Sequence, residues 1–176
     1  ISKKNLTPDE KARVVEESVR YWTDHVNEGF LQFRKSVSTD YTAVEWEDEG
    51  AVFRDIHGKE FIDILGGYGI YVVGHRHPRV MKAVRDQLDR QAIHSQELID
   101  PLRTYLANLV ALITPGDLQY AFFTNSGTES VEGCLKMAVL ATGRHHFIGA
   151  AGAFHGKSMG SLGGTSKAVF REPFLP

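Results

Sequence analysis

A chain of 176 residues, 42% of them hydrophobic and 24% charged, can form one soluble domain, or a small domain with part of a larger one. Its formal net charge of -2 gives no electrostatic reason to expect a nucleic acid or an anionic membrane as partner. The single cysteine, Cys134, excludes an internal disulfide framework and suits a reducing compartment, so the expected location is the cytoplasm. The start, Ile1-Ser2-Lys3-Lys4-Asn5, lacks the apolar core of a signal peptide. Thr7-Pro8-Asp9-Glu10 then reads as a helix start. Thr7 is the N-cap, Pro8 takes the first helical position and Glu10 completes a capping box. Val15, Val19, Trp22 and Val26 follow at helical spacing, and Gly29 lies where that helix should end.

Residues 43–65 change character. Val44 and Trp46 alternate, a Glu49-Gly50 turn follows, then Val52-Phe53, a His57-Gly58 turn and Phe61-Ile62-Asp63-Ile64. This pattern predicts two or three short antiparallel strands. The next run, 65–74, is weakly polar but broken by Gly66, Gly67, Gly69 and Gly74, and is far too short to span a bilayer. Pro78 opens a helix with Val80, Val84 and Leu88 on one face. Asp100-Pro101 caps another, with Leu102, Leu106, Leu109 and Ile113 as its expected buried stripe.

From residue 120 the period alternates. Residues 120–124 form an apolar strand, 126 to about 142 a helix and 146–150 a second strand, followed by a glycine-rich turn and room for another helix. Units of this order favour a mostly parallel sheet. The fold class is therefore α/β with a small α+β lead-in. An N-terminus at Ile1 and an end at Phe174-Leu175-Pro176 without a terminating pattern are what a portion of a longer chain would show.

Asn125-Ser126-Gly127-Thr128-Glu129 runs from the first of these strands straight into the helix. Its plain reading is a capping box, Ser126 with Glu129, which any helix can use without a ligand. The alternative is a phosphate site. A helix N-terminus offers free N–H groups and partial positive charge, Gly127 lets an anion approach the backbone and Thr128 adds a hydroxyl. The second glycine cluster, Gly149 to Gly164, carries Phe154-His155-Gly156 just after the second strand. Parallel sheets bind ligands at the carboxyl ends of their strands, which places both turns on one edge. A phosphate cradle beside an aromatic plane and an imidazole suits a flat, phosphorylated ring.

Residues 151–158 also approach the P-loop pattern, ending in Gly156-Lys157-Ser158. Ala151 replaces its first glycine, Phe154 and His155 are bulky for a loop that wraps phosphate, and the glycines of 159–165 oppose a firm helix start. His75 and His77 have metal-ligand types at close spacing, but no cysteine or carboxylate cluster adjoins them, and packing of a turn before Pro78 is the simpler role. Cys134 is expected as a small buried hydrophobe. His145 and His146, Lys136 and the Arg85-Asp86-Asp89-Arg90 charges are expected at the surface.

Taken together, Gly74-His75-Arg76-His77-Pro78, Asn125 to Glu129 and Phe154-His155-Gly156 resemble the class III (omega) aminotransferases of pyridoxal-phosphate (PLP) fold type I, in the family's order and over nearly the whole chain. Residues 29–36, 94–98 and 153–159 are most similar to its bacterial diamine-specific subgroup. The resemblance implies an N-terminal segment of the small domain at 1–65 and the first part of the large PLP-binding domain at 66–176. It implies a homodimer acting on an amine and a 2-oxo acid. Ser126, Gly127 and Thr128 would hold the PLP phosphate, Phe154 would stack on the ring and His155 would line the same wall. Tyr68 and Tyr71 would border the substrate entrance, although a packing role is open to both. The family's PLP-bearing lysine and the aspartate facing the ring nitrogen come later than Phe-His-Gly and lie beyond residue 176. No catalytic residue is therefore expected within the chain, Lys136 and Lys157 included.

Overall fold

The computed structural model describes residues 5–174, so the features expected of residues 1–4 and 175–176 lie outside the described residues. The chain divides into two compact units, one reaching to His94 and the other starting at Ser95.

In the first unit, helix α1 spans Pro8–His25 with the Thr7–Glu10 capping box closed in both directions. The helix does not run on to Gly29. Asn27 donates its N–H back to Trp22 O at 2.9 Å while its side chain accepts from Phe30 N at 3.0 Å. That side chain starts a second helix, α2 (Glu28–Val37), in which Gly29 is an ordinary helical residue. An asparagine that satisfies a free N–H of the next helix outweighs a nearby glycine as a boundary. The Trp22 and Phe30 rings, 5.4 Å apart, hold the two helices together.

Three strands follow, β1 (Glu45–Glu49), β2 (Val52–Asp55) and β3 (Glu60–Ile62), paired antiparallel in the order β1-β2-β3. Gly50 and Gly58 take left-handed conformations at the two turns (φ 60° and 89°), which a side chain would resist. Phe53 and Phe61 stack across β2 and β3 at 5.2 Å, and Ile56, 2% exposed, is the apolar centre. The glycine-rich connection returns to the sheet through a bridge between Gly50 and His75. Helix α3 (Pro78–Arg90) completes the unit.

The second unit holds α4 (Pro101–Ile113), α5 (Gly127–Thr142), α6 (Met159–Gly164) and α7 (Ala168–Arg171). Asp100 caps α4 as expected, accepting from Leu102 N at 2.9 Å. The stripe on α4 is not buried: Leu102, Leu106, Leu109 and Ile113 are all exposed, because within its own unit no described element packs on this helix. Periodicity marks a face that wants covering but supplies nothing to cover it. Segments 120–124 and 146–150 flank α5 in the expected order, yet neither has a ladder partner among the described residues. Strand pairing needs a neighbouring backbone to supply donors and acceptors. Tyr120 and Ile148 are accordingly fully exposed.

Helix α6 forms where three glycines argued against one, for a reason given below. Its Leu162 and Ser161 are buried, with Thr165 just after it. Cys134 on α5 is exposed rather than buried, because the cleft it lines with Phe147 and Ile148 is open. Lys136, His145, His146 and the Arg85–Arg90 charges are at the surface as expected. No helix among the described residues is long and apolar enough to cross a membrane.

Candidate active site

Ser126 caps α5, its side chain accepting from Glu129 N at 3.3 Å. The returning carboxylate reaches one residue further back than a capping box requires: Glu129 Oε2 accepts from Asn125 N at 2.7 Å. Thr124 Oγ1 donates to Ser126 O at 3.0 Å and fixes the entry to the turn. The N–H groups of Gly127 and Thr128 then have no acceptor among the described residues. Gly127 faces open space, since a Cβ built there would meet nothing within 4 Å. Two adjacent N–H donors, the positive end of a 16-residue helix and room above a glycine fit a phosphate group.

The second turn docks directly on this one. Thr128 Oγ1 lies 2.8 Å from Ser158 Oγ and 2.6 Å from Ser161 Oγ. Gly156 is buried with φ 124°, and a Cβ there would sit 2.3 Å from Thr128 Oγ1. The side chain of Thr128 is thus committed to joining the two turns, which leaves its N–H as the group available to an anion. Thr165, fully buried, ties the turn from behind: its Oγ1 accepts from His155 N at 3.0 Å and donates to Gly156 O at 2.9 Å.

Phe154 is 55% exposed and meets Phe170 edge-on, ring centres 5.9 Å apart. His155 lies against Gly164 and lines an apolar cleft of about 520 Å³ with Val131, Leu135, Ala138 and Phe147.

The P-loop alternative is absent from this geometry. The Gly160 and Ser161 amides, in the first turn of the helix that follows this loop, donate to Glu132 Oε1 at 2.9 and 3.1 Å, so a carboxylate already occupies the helix start where a P-loop would favour phosphate. Ser158 Oγ donates to the same oxygen at 2.5 Å, and Lys157 Nζ sits over the Phe170 ring at 5.3 Å. Glu132 is also why α6 forms: its carboxylate satisfies the helix's first N–H groups, offsetting the glycines. The Ser158 hydrogen bond, followed by those from Ser161 and Gly160, holds the Glu132 carboxyl below its ordinary value against the opposing effect of burial.

In the first unit, Tyr68 is 89% exposed at φ 59°. Tyr71 stacks on His75, ring centres 3.8 Å apart. Both ring nitrogens of His75 face carboxylates rather than standing open to a metal ion. Nδ1 is 2.9 Å from Asp48 Oδ2 and Nε2 2.7 Å from Asp63 Oδ2, with the ring only 4% exposed. Among the described residues no group of three His, Cys, Asp or Glu side chains could hold a metal ion. Sequence reasoning missed both Glu132 and this clamp. For Glu132 a signal was present: Thr128 and Glu132 are one helical turn apart and must share a face.

Comparison with known proteins concerns the chain as a whole. A sequence model described as "Aminotransferase class-III" matches residues 35–176. A protein of Pectobacterium atrosepticum named putrescine aminotransferase is 53% identical over 97% of this chain, which spans 38% of that protein. Among solved structures, an (S)-enantioselective omega-transaminase from Thermomicrobium roseum superposes with a TM-score of 0.78 at 25% identity, covering 98% of this chain and 39% of the other. An omega-aminotransferase from Paracoccus denitrificans gives 0.67 at 26% identity, over 77% of this chain and 32% of its own. The chain therefore spans about two fifths of the length of the relatives it matches. The aminotransferase fold expected from the sequence holds, represented here by its two turns, its helices and the small sheet.

Proposed function

The chain belongs to the class III aminotransferases, and on that premise we propose that it is the part of a PLP-dependent enzyme that grips the cofactor's phosphate and covers its ring. The reaction proposed for the whole protein moves an amino group from a terminal amine, putrescine or a related diamine, to 2-oxoglutarate. The amine carbon is oxidised to an aldehyde and the 2-oxo acid is reduced to glutamate, so the pair balances without an outside oxidant. The observation that carries the substrate class is the 53% identity to a putrescine aminotransferase along almost the whole chain.

Within this chain the N–H groups of Gly127 and Thr128 hold the phosphate, with the Ser126 hydroxyl beside them. Phe154 stacks on the ring, and His155 lines the wall behind it. Tyr68 and Tyr71 border the amine's entrance. When bound, PLP supplies an electron sink for the carbon that loses its proton. The lysine that moves that proton is expected outside residues 1–176, so these residues position and shield rather than transfer protons. In the whole protein residues 1–65 contribute to the small domain and 66–176 to the large one, in a cytoplasmic homodimer.

The test is turnover. The full-length protein should form glutamate from putrescine and 2-oxoglutarate with PLP, and residues 1–176 alone should form none. Turnover of ornithine or 4-aminobutyrate in place of putrescine would move the substrate to another branch of the family. Glutamate formation by residues 1–176 alone would contradict the assignment of the proton-transfer group.

A further inference from the structure

Three hydrogen bonds converge on one oxygen of Glu132, from Ser158 Oγ and from the amides of Gly160 and Ser161. One turn earlier on the same face of α5, Thr128 Oγ1 contacts the hydroxyls of Ser158 and Ser161. The loop is shaped to receive both side chains. A Cβ at Gly160 would lie 2.3 Å from Glu132 Oε2, and one at Gly156 equally close to Thr128 Oγ1. At Gly156, with φ 124°, only glycine fits, and at Gly160 a side chain would displace the Glu132 carboxylate from its hydrogen bonds. The same helix that presents Gly127 and Thr128 N–H at its start therefore grips, from its second turn, the loop that carries Phe154 and His155.

We propose that Glu132 is a positioning residue: it sets the Phe154-His155-Gly156 turn at a fixed distance from the anion-facing end of α5, so that phosphate grip and ring stacking act on one molecule at once. This rests on the reading of the two turns as a PLP cradle. A neutral side chain at 132 gives up charge-assisted hydrogen bonds, which are about twice as strong as neutral ones. A methyl group at 132 leaves two amides and a hydroxyl without their acceptor. Lys136, one turn further along, lowers the Glu132 carboxyl further, so the carboxylate stays charged through neutral pH.

The experiment compares the full chain with E132A and E132Q by three readouts. These are hydrogen exchange at the Gly160 and Ser161 amides, the dichroism induced in bound PLP, and the competition of inorganic phosphate against PLP. In E132A those amides should exchange about tenfold faster. PLP should bind about tenfold more weakly with altered dichroism, while inorganic phosphate, held by Gly127 and Thr128 alone, should change by no more than about twofold. E132Q keeps an acceptor of the same shape and should restore the dichroism, with exchange still faster than in the parent. Parent-like dichroism and affinity in a folded E132A would overturn the proposal. If E132A does not fold, E132Q decides, and parent-like exchange at Gly160 and Ser161 in that variant overturns it. Failure of the parent itself to bind PLP would refute the cradle instead, and the exchange rates would still decide whether Glu132 holds the turn.

Discussion

Gly156→Ala puts the contact between the two turns to a quantitative test. The added methyl carbon would lie 2.3 Å from Thr128 Oγ1 and 2.7 Å from both Thr128 Cβ and Ser161 Oγ. None of these can retreat as a long flexible side chain would. Thr128 Cβ is fixed to α5, and the two hydroxyls bond to each other at 2.6 Å. The residue also sits at φ 124°, a conformation that costs a non-glycine residue roughly 1–3 kcal/mol. Forcing a methyl group into a filled site typically adds about 1–3 kcal/mol. The sum, about 2–6 kcal/mol, corresponds to a fall in melting temperature of roughly 10 °C or more for a unit of this size. The control is Gly127→Ala, whose methyl group would meet nothing and whose φ is not positive. It should stay within about 0.5 kcal/mol of the parent and lose affinity for phosphate. Far-UV dichroism melts of the three proteins provide the comparison. A Gly156→Ala melt within about 2 °C of the parent would refute the docking of the two turns.

Two further outcomes follow from the first unit and from the cap of α5. His75 is raised above its ordinary 6.5, chiefly by the hydrogen bond to Asp63 and then by that to Asp48, with burial opposing. Its contribution to stability is complete below pH 6.5 and is lost as pH rises through the raised value. Asp63 is lowered from 3.8, chiefly by His75 and also by the Gly66 and Leu65 amides, so its contribution holds above that pH and fades as pH falls through the lowered value. Arg76 also faces this cluster, with Nε 3.9 Å from Asp48 Oδ1. Urea midpoints should therefore be highest between these limits and drop on the alkaline side, and His75→Gln should flatten the alkaline drop; an unchanged profile in that variant would rule out the clamp as its source. Ser126→Ala removes the acceptor for Glu129 N and should cost about 1 kcal/mol by urea denaturation, with no loss counting against the cap.

What could be read from the sequence was local. Thr7, Asp100 and Ser126 each announce a helix within three residues, and Pro8, Pro78 and Pro101 set the first helical position as written. The strands around Gly50 and Gly58 were legible for the same reason, since a turn and its flanking strands are contiguous. Asn27 was overlooked because Gly29 is the stronger stop signal in isolation, whereas the chain had a second helix to start. The His75 clamp was not legible: its partners are 27 and 12 residues away, and nothing in the spacing selects them. The Glu132 grip spans 26 to 29 residues and depends on a loop that folds back only once formed. Burial was misjudged on α4 and at Cys134 because an apolar stripe specifies a face and not its partner.

The central claim is that the start of α5 holds the cofactor by its phosphate, and amide NMR of isotope-labelled protein tests it most directly. Titration with PLP and with inorganic phosphate should shift the Gly127 and Thr128 amide signals in the same direction, while pyridoxal without its phosphate should leave them in place. Saturating PLP that moves other amides but not these two would contradict the account.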